Sequence, residues 1–314
     1  MTPQRLLIDT DPGIDDAMAL LLALDAPELA VVALTTVFGN APTATTTQNA
    51  LALVEMAMRR DVVVARGAEG PLVRPALESA WQFHGRNGLG EVDLGPPRGE
   101  AIAQRAAPFL VERIMAEAAG RLVLLALGPL TNLALALRIE PRIAERVARV
   151  VVMGGAVNRA GNASAAAEAN TRNDPEAAQI VFDAPWPVTL VGLDVTQQTL
   201  FTDEQMAWLA ALGGAQSTFL HAAHRYYLDA YRRNKALDGF HIHDASALLY
   251  LLDPDLFVTR PLHVEVERHS PIHFGMTVAD WRYSPAQPPN VEVCVDVQAE
   301  PLMRALKKRL ARLK

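Results

Sequence analysis

Asp9-Thr10-Asp11-Pro12-Gly13-Ile14-Asp15-Asp16 places four carboxylates within eight residues, directly after the apolar run Leu6-Leu7-Ile8. The apolar run reads as a buried strand, and Asp11-Pro12-Gly13 reads as the turn that ends it. Ala17 to Leu24 then reads as a helix. Asp15 and Asp16 fall in or just before its first turn, where the helix dipole and free N–H groups favour negative charge. That relief cannot hold four carboxylates together at one strand end. They need a cation, shared protons or separation in space. Hard cations such as calcium and magnesium take carboxylate oxygens, and several could converge on one here. A solvated acidic turn with a helix cap would account for the same residues without a metal.

Outward from this stretch the chain alternates. Strands are expected at Arg5 to Ile8, Ala30 to Phe38, Val62 to Ala65, Leu122 to Leu127, Val147 to Met153 and Val188 to Leu193. Helices are expected at Asp15 to Ala26, Thr43 to Met58, Ala101 to Ala119 and Leu133 to Ile139, with another opened by Pro175. This is the pattern of βαβ units around a parallel sheet. Two stretches break it, the Pro- and Gly-rich run from Gly67 to Gly99 and the run from Ala156 to Asn173. Loops this long in a compact domain are usually functional or disordered, and Trp81, Phe83 and His84 in the first argue against disorder. After Thr202 the pattern turns helical over Asp203 to Ala211, Gln216 to Arg233 and His243 to Leu252. It ends in β segments at Pro261 to Glu267, Gly275 to Tyr283 and Asn290 to Val297, and a closing helix. We read residues 1–314 as one α/β domain with a C-terminal helical and β extension.

Composition narrows the function. Half of the residues are apolar, enough for a sizeable core, and the net charge is -6. No Lys/Arg stripe crosses the interior of the chain, which argues against a nucleic-acid binder. The basic tail Lys307-Lys308-Arg309-Leu310-Ala311-Arg312 fits the C-terminal end of a helix. Cys294 is the only cysteine and sits in a Val-rich run, so it reads as a small core residue in a chain without an intrachain disulfide. No signal peptide or bilayer-spanning run is visible, so a cytoplasmic protein with no membrane partner is the expectation.

The strand ends collect the polar residues. Asp9 and Asp11, Gly39-Asn40, Leu127-Gly128 and Met153-Gly154-Gly155 each follow a strand. In open parallel sheets, ligands bind outside those C-terminal ends, so these groups should share one rim. His243-Asp244 starts a late helix, where Asp244 could join a metal shell or act as a cap. His243 titrates near neutrality and could give a proton. Glu168 and Asn170 lie among alanines that would let them approach a ligand closely. Tyr226, Tyr227 and Tyr231 follow helical spacing, which also suits core packing. The histidines at 221, 224, 241, 263, 269 and 273 read as structural or surface residues.

Several of these stretches, taken in order, resemble one family. Asp9 to Ala17, Thr35-Thr36-Val37-Phe38-Gly39-Asn40, Leu127-Gly128-Pro129-Leu130-Thr131-Asn132, Val152-Met153-Gly154-Gly155, Glu168-Ala169-Asn170 with Asp174-Pro175-Glu176-Ala177, and His243-Asp244 are similar to the signatures of the nucleoside hydrolases. The resemblance implies an open, mostly parallel, Rossmann-like sheet with helices on both faces. It implies calcium-dependent hydrolysis of the N-glycosidic bond of ribonucleosides, in nucleoside salvage, by a homo-oligomer (dimer or tetramer). By motif position, Asp11, Asp16, Asp244 and the Leu127 carbonyl would hold the metal. Asp11 would take the proton of the attacking water. Asp15, Asn40 and Asn170 would grip the 2′- and 3′-hydroxyls, Asn162 and Glu168 the 5′-hydroxyl, and Met153 would pack near the ribose. His243 and His84 would serve the leaving base, with Tyr231 at its side. Having both histidines favours a non-specific or pyrimidine-preferring enzyme over the purine-specific kind, which stacks the base on tryptophan. Trp81 lies close enough to His84 to bear on that choice.

Two other classes share features. An apolar strand followed by Asp9-Thr10-Asp11 looks like the Asp-x-Asp of magnesium-dependent phosphatases, but Gly13 stands where those carry Thr or Val, and Asp15-Asp16 would be unexplained. A nucleoside or ribose sensor would keep the metal site and lack turnover.

Overall fold

A computed structural model describes residues 2–313 of the protein. The strand expected at residues 5–8 runs as β1 (Gln4–Thr10), and the first helix as α1 (Ile14–Asp25). Every α1 residue from Ile14 to Leu24 is buried, as an almost wholly apolar helix requires. The chain continues through β2 (Leu29–Thr36), α2 (Thr43–Met56), β3 (Val63–Arg66), the single turn α3 (Trp81–His84), α4 (Ala106–Ala116), β4 (Leu122–Ala126) and α5 (Thr131–Ile139). Next come β5 (Val147–Met153), α6 (Ala169–Asn173), α7 (Pro175–Phe182), β6 (Val188–Val191), α8 (Leu193–Thr196), β7 (Leu200–Thr202) and α9 (Asp203–Ala211). The rest is α10 (Ala215–Lys235), β8 (Gly239–His241), α11 (His243–Leu252), β9 (Phe257–Leu262), β10 (Val264–Val266), β11 (Thr277–Ala279), β12 (Val291–Val297) and α12 (Ala299–Leu310).

One eight-stranded sheet has the order β3-β2-β1-β4-β5-β6-β12-β9. Its pairings are parallel except β12 with β9. β1 pairs with β2 on one side and β4 on the other, so the strand order reverses there. Chains leaving β1 and β4 diverge to opposite faces and open a crevice at their C-terminal ends, the usual ligand position of such sheets. Apolar side chains pack on both faces: α1, α2, α10, α11 and α12 contribute to one core, and α4, α5 and α7 to the other.

The C-terminal helical and β part is built into this frame. β9 and β12 complete the sheet's edge, while β10 and β11 pair separately. The segment expected as one strand over 261–267 is therefore divided at His263 between two sheets. The helix expected from residue 101 starts at Ala106, because residues 101–105 cover the sheet edge: Ile102 bridges to Ala65 and donates its N–H to Val64 O. The strand expected to reach Leu193 stops at Val191, and the next residues coil into α8. The short pair β7–β8 has no counterpart in the sequence pattern. Cys294 is buried in β12. The basic C-terminal helix pairs with acidic neighbours, Arg309 reaching Glu28 and Asp253. No helix among the described residues is long and apolar enough to cross a membrane.

Candidate active site

The acidic octet resolves its own repulsion by splitting. Asp9 turns away: its Oδ1 accepts hydrogen bonds from Thr35 Oγ1 and from Asn132 Nδ2. Asp11, Asp15 and Asp16 stay on the crevice side, and Asp244 joins them from the start of α11. Backbone and short side chains hold them. Asn40 N–H donates to Asp11 Oδ2 at 2.8 Å. Asp16 accepts from Gly13 N–H (3.0 Å), Asn40 Nδ2 (2.9 Å) and Thr10 Oγ1. The fit excludes larger residues beside these groups. A Cβ on Gly39 would lie 2.0 Å from Asp11 Oδ2, and one on Gly13 would lie 2.6 Å from both Asn40 Nδ2 and His84 Nδ1.

These carboxylates are short of positive charge. Burial, then the charge of Asp16, pushes Asp11 well above the usual carboxylate range. Asp244 is pushed well above it by burial, then by Asp16, Asp15 and Asp11. Burial raises Asp15 to about 6, and burial with the Asp15 charge raises Asp16. Among the described residues, Asp11 Oδ1 and Asp15 Oδ1 are buried without a hydrogen-bond partner. Oxygens of Asp15, Asp16 and Asp244 all lie within 4.8 Å of one another. The cluster could hold a metal ion, whose charge would reverse the repulsion. The closest grouping thus contains Asp15, whereas the sequence resemblance implied Asp11 in that place.

Above this floor is a cavity of about 290 Å³. Of the residues singled out in the sequence, Asp15, Asn40, His84, Leu127, Met153, Asn162, Glu168, Asn170, Tyr231, His243 and Asp244 line it, while Asp11 and Asp16 sit behind. Glu168 caps α6, accepting from the N–H groups of Gly155, Asn170 and Thr171. Burial still raises its carboxyl to about 7. Asn162 Oδ1 accepts from Ala169 N–H, which ties its loop to the same helix start. Asn170 Nδ2 donates to the Leu127 carbonyl at 2.6 Å and to the Met153 carbonyl at 3.1 Å. A carbonyl has two lone pairs, so the Leu127 oxygen keeps one for a cation.

The opposite wall is aromatic. His84 Nδ1 accepts from Ile14 N–H at 3.1 Å, which leaves its proton on Nε2, and burial lowers its pKa to about 4. His243 lies between two hydroxyls, Thr196 Oγ1 at 2.8 Å from Nδ1 and the Tyr231 hydroxyl at 3.1 Å from Nε2. Burial lowers its pKa to about 3. Tyr227 packs between His84 and Tyr231, with ring centroids 5.3 and 4.9 Å away. Trp81 does not line the cavity; its indole is exposed and donates to Glu78. The lining also holds Phe83, Gln82 and Lys235, which nothing in the sequence pattern placed there, and Tyr227, whose spacing suited core packing as well. The four-residue spacing of Tyr227 and Tyr231 on α10 was the available signal.

Residues 6–304 match the family model described as inosine-uridine preferring nucleoside hydrolase. The chain belongs to that family. It is 41% identical over 277 residues to uridine nucleosidase 1 of Arabidopsis thaliana, covering 88% of this chain and 82% of that protein. A plant nucleoside hydrolase structure superposes with a TM-score of 0.94 at 35% identity, covering 99% of each chain. The purine-preferring ribonucleoside hydrolase from Gardnerella vaginalis superposes at 0.93 and 31% identity, also over 99% of each chain. Nucleoside hydrolases cleave the N-glycosyl bond of ribonucleosides, so the protein is an N-ribohydrolase whose substrate is a small nucleoside.

Proposed function

We propose that this nucleoside hydrolase is a calcium-dependent enzyme that is non-specific or pyrimidine-preferring and releases free base and ribose in nucleoside salvage. The carrying observation is the set of four buried, mutually repelling carboxylates under a cavity walled by ribose-sized amides on one side and aromatic groups on the other. Three carboxylates, a backbone carbonyl and sugar hydroxyls suit calcium, which takes many oxygen ligands in loose geometry. Asp11, Asp16, Asp244 and the Leu127 carbonyl would hold it. A bound calcium would supply Lewis-acid activation of water and a fixed seat for the ribose diol.

The chain's own residues divide the remaining work. Asp11, raised by burial, accepts the proton of the attacking water. Asp15, Asn40 and Asn170 bind the 2′- and 3′-hydroxyls. Asn162 and Glu168 bind the 5′-hydroxyl, and Met153 packs against the sugar. These contacts orient the anomeric carbon and favour an oxocarbenium-like transition state. His84 donates through Nε2 toward the base, and Tyr231 with His243 donates from the other side. Relatives differ in base preference, one being a uridine nucleosidase and another purine-preferring. Exposure of Trp81 outside the cavity supports the non-specific or pyrimidine-preferring side.

Free base released from uridine, cytidine, inosine and adenosine, with calcium and with excess chelator, tests the proposal. Calcium-dependent release that includes uridine or cytidine is expected. Full activity in chelator would overturn the metal dependence, and release from purines alone would overturn the base preference. We further propose one domain over residues 1–314, assembled as a cytoplasmic dimer or tetramer. Light scattering that gives a monomer would refute the assembly.

A further inference from the structure

Thr196 ends α8 and is fully buried, outside the cavity. Its Oγ1 lies 2.8 Å from His243 Nδ1, and among the described residues it has no other hydrogen-bond partner. A hydroxyl that only accepted there would leave its hydrogen buried and unpaired. The Thr196 hydrogen therefore points at Nδ1, which must be the unprotonated ring nitrogen. The ring's proton is on Nε2 and is donated to the Tyr231 oxygen, 3.1 Å away. Tyr231, accepting from His243, does not direct its own hydrogen at the imidazole, and its side chain lines the cavity beside Tyr227.

We infer that Thr196 is a positioning residue for leaving-group activation: it fixes the Nε2–H tautomer of His243, so that Tyr231 keeps its hydrogen for the departing base. This rests on the nucleoside hydrolysis proposed above. The direction matters chemically. With the proton on Nδ1, Tyr231 would donate to His243 and have no hydrogen left for the substrate. With it on Nε2, the donors run one way, Thr196 to His243 to Tyr231, and each bond polarises the next. His243 then acts through Tyr231 and does not touch the base itself.

The test compares two substrates. A nucleoside needs help for its leaving base; p-nitrophenyl ribofuranoside expels an anion that needs no proton. Thr196→Val removes the hydroxyl at nearly constant shape. It should lower kcat on uridine or inosine about tenfold to a hundredfold, change KM less, and lower kcat on the aryl riboside no more than about twofold. Thr196→Ser should restore the nucleoside rate. Nitrogen-15 spectra of the histidines should show His243 as the Nε2–H tautomer in the wild type and a mixture in Thr196→Val. Equal losses on both substrates, no loss on either, a serine variant as slow as the valine variant, or an Nδ1–H tautomer in the wild type would each overturn the inference. Wild-type protein that cleaves the aryl riboside but no nucleoside would instead refute the proposed activity.

Discussion

The floor and the aromatic wall of the cavity are built by different means. The floor takes three carboxylates from one eight-residue stretch and fixes them through backbone and short side chains close by: Asn40 N–H on Asp11, and Gly13 N–H, Asn40 Nδ2 and Thr10 Oγ1 on Asp16, with glycines pressed close. Strand ends of a buried sheet supply that rigidity. The wall takes His84 from the single turn α3, Tyr227 and Tyr231 from α10, His243 from α11 and Thr196 from α8; it joins Thr196, His243 and Tyr231 side chain to side chain, while His84 rests on Ile14 N–H. The difference assigns chemistry to place. On the proposed reading, the ribose and cation common to every substrate would sit on the floor, and the base, which varies, would meet the part assembled from separate elements.

Substitutions can break that division. Asp11→Ala should cost about 10⁴-fold in kcat on nucleosides and on p-nitrophenyl ribofuranoside alike, since both need the attacking water; a loss confined to nucleosides would move Asp11 out of the floor's role. Removing the substrate's 2′-hydroxyl should cost about 10³-fold in kcat/KM, because buried polar partners are left unpaired. Equal rates on uridine and 2′-deoxyuridine would contradict it. His243→Ala should cost about 10²-fold on nucleosides and little on the aryl riboside; equal losses would merge wall and floor into one function.

The smallest effect concerns stability. Asp9 and Glu168, each raised to about 7, bind protons in the folded state that the unfolded chain releases. In metal-free protein, lowering pH from 8 to 7 should therefore raise stability by about 0.5 kcal/mol, read as a small rise in Tm. As the pH approaches 6.5 the buried His84, His224 and His243, with pKa values lowered from 6.5, increasingly oppose the gain, because the unfolded chain protonates them first. Calcium should raise Tm most at pH 8, where the carboxylates are most charged. A Tm that falls between pH 8 and 7 without metal would count against the raised carboxylates.

The same contrast explains what could be read from sequence. The octet was readable because its charges are adjacent and follow an apolar strand, and the β1–β4 reversal then gathers Asn40, Leu127 and Met153 at one rim. Asp9 was not separable from its neighbours, since only tertiary contact with Thr35 and Asn132 turns it away. The single turn α8 has no periodicity to detect, yet it carries two anchors: Thr196 on His243, and Asp194, which accepts from Val157 and Asn158 N–H and holds the loop of Asn162. Residues 101–105 are good helix formers overruled by the need to cover the edge of β3. Tyr227 shows helical spacing, which core packing would give equally.

The most direct measurement is a crystal structure with calcium and ribose bound. The ion should lie on carboxylate oxygens of Asp11, Asp16 and Asp244 and on the Leu127 carbonyl, with Asp15 on the sugar. An ion held by Asp15, Asp16 and Asp244 with Asp11 unbound, or no ion at the strand ends, would contradict it.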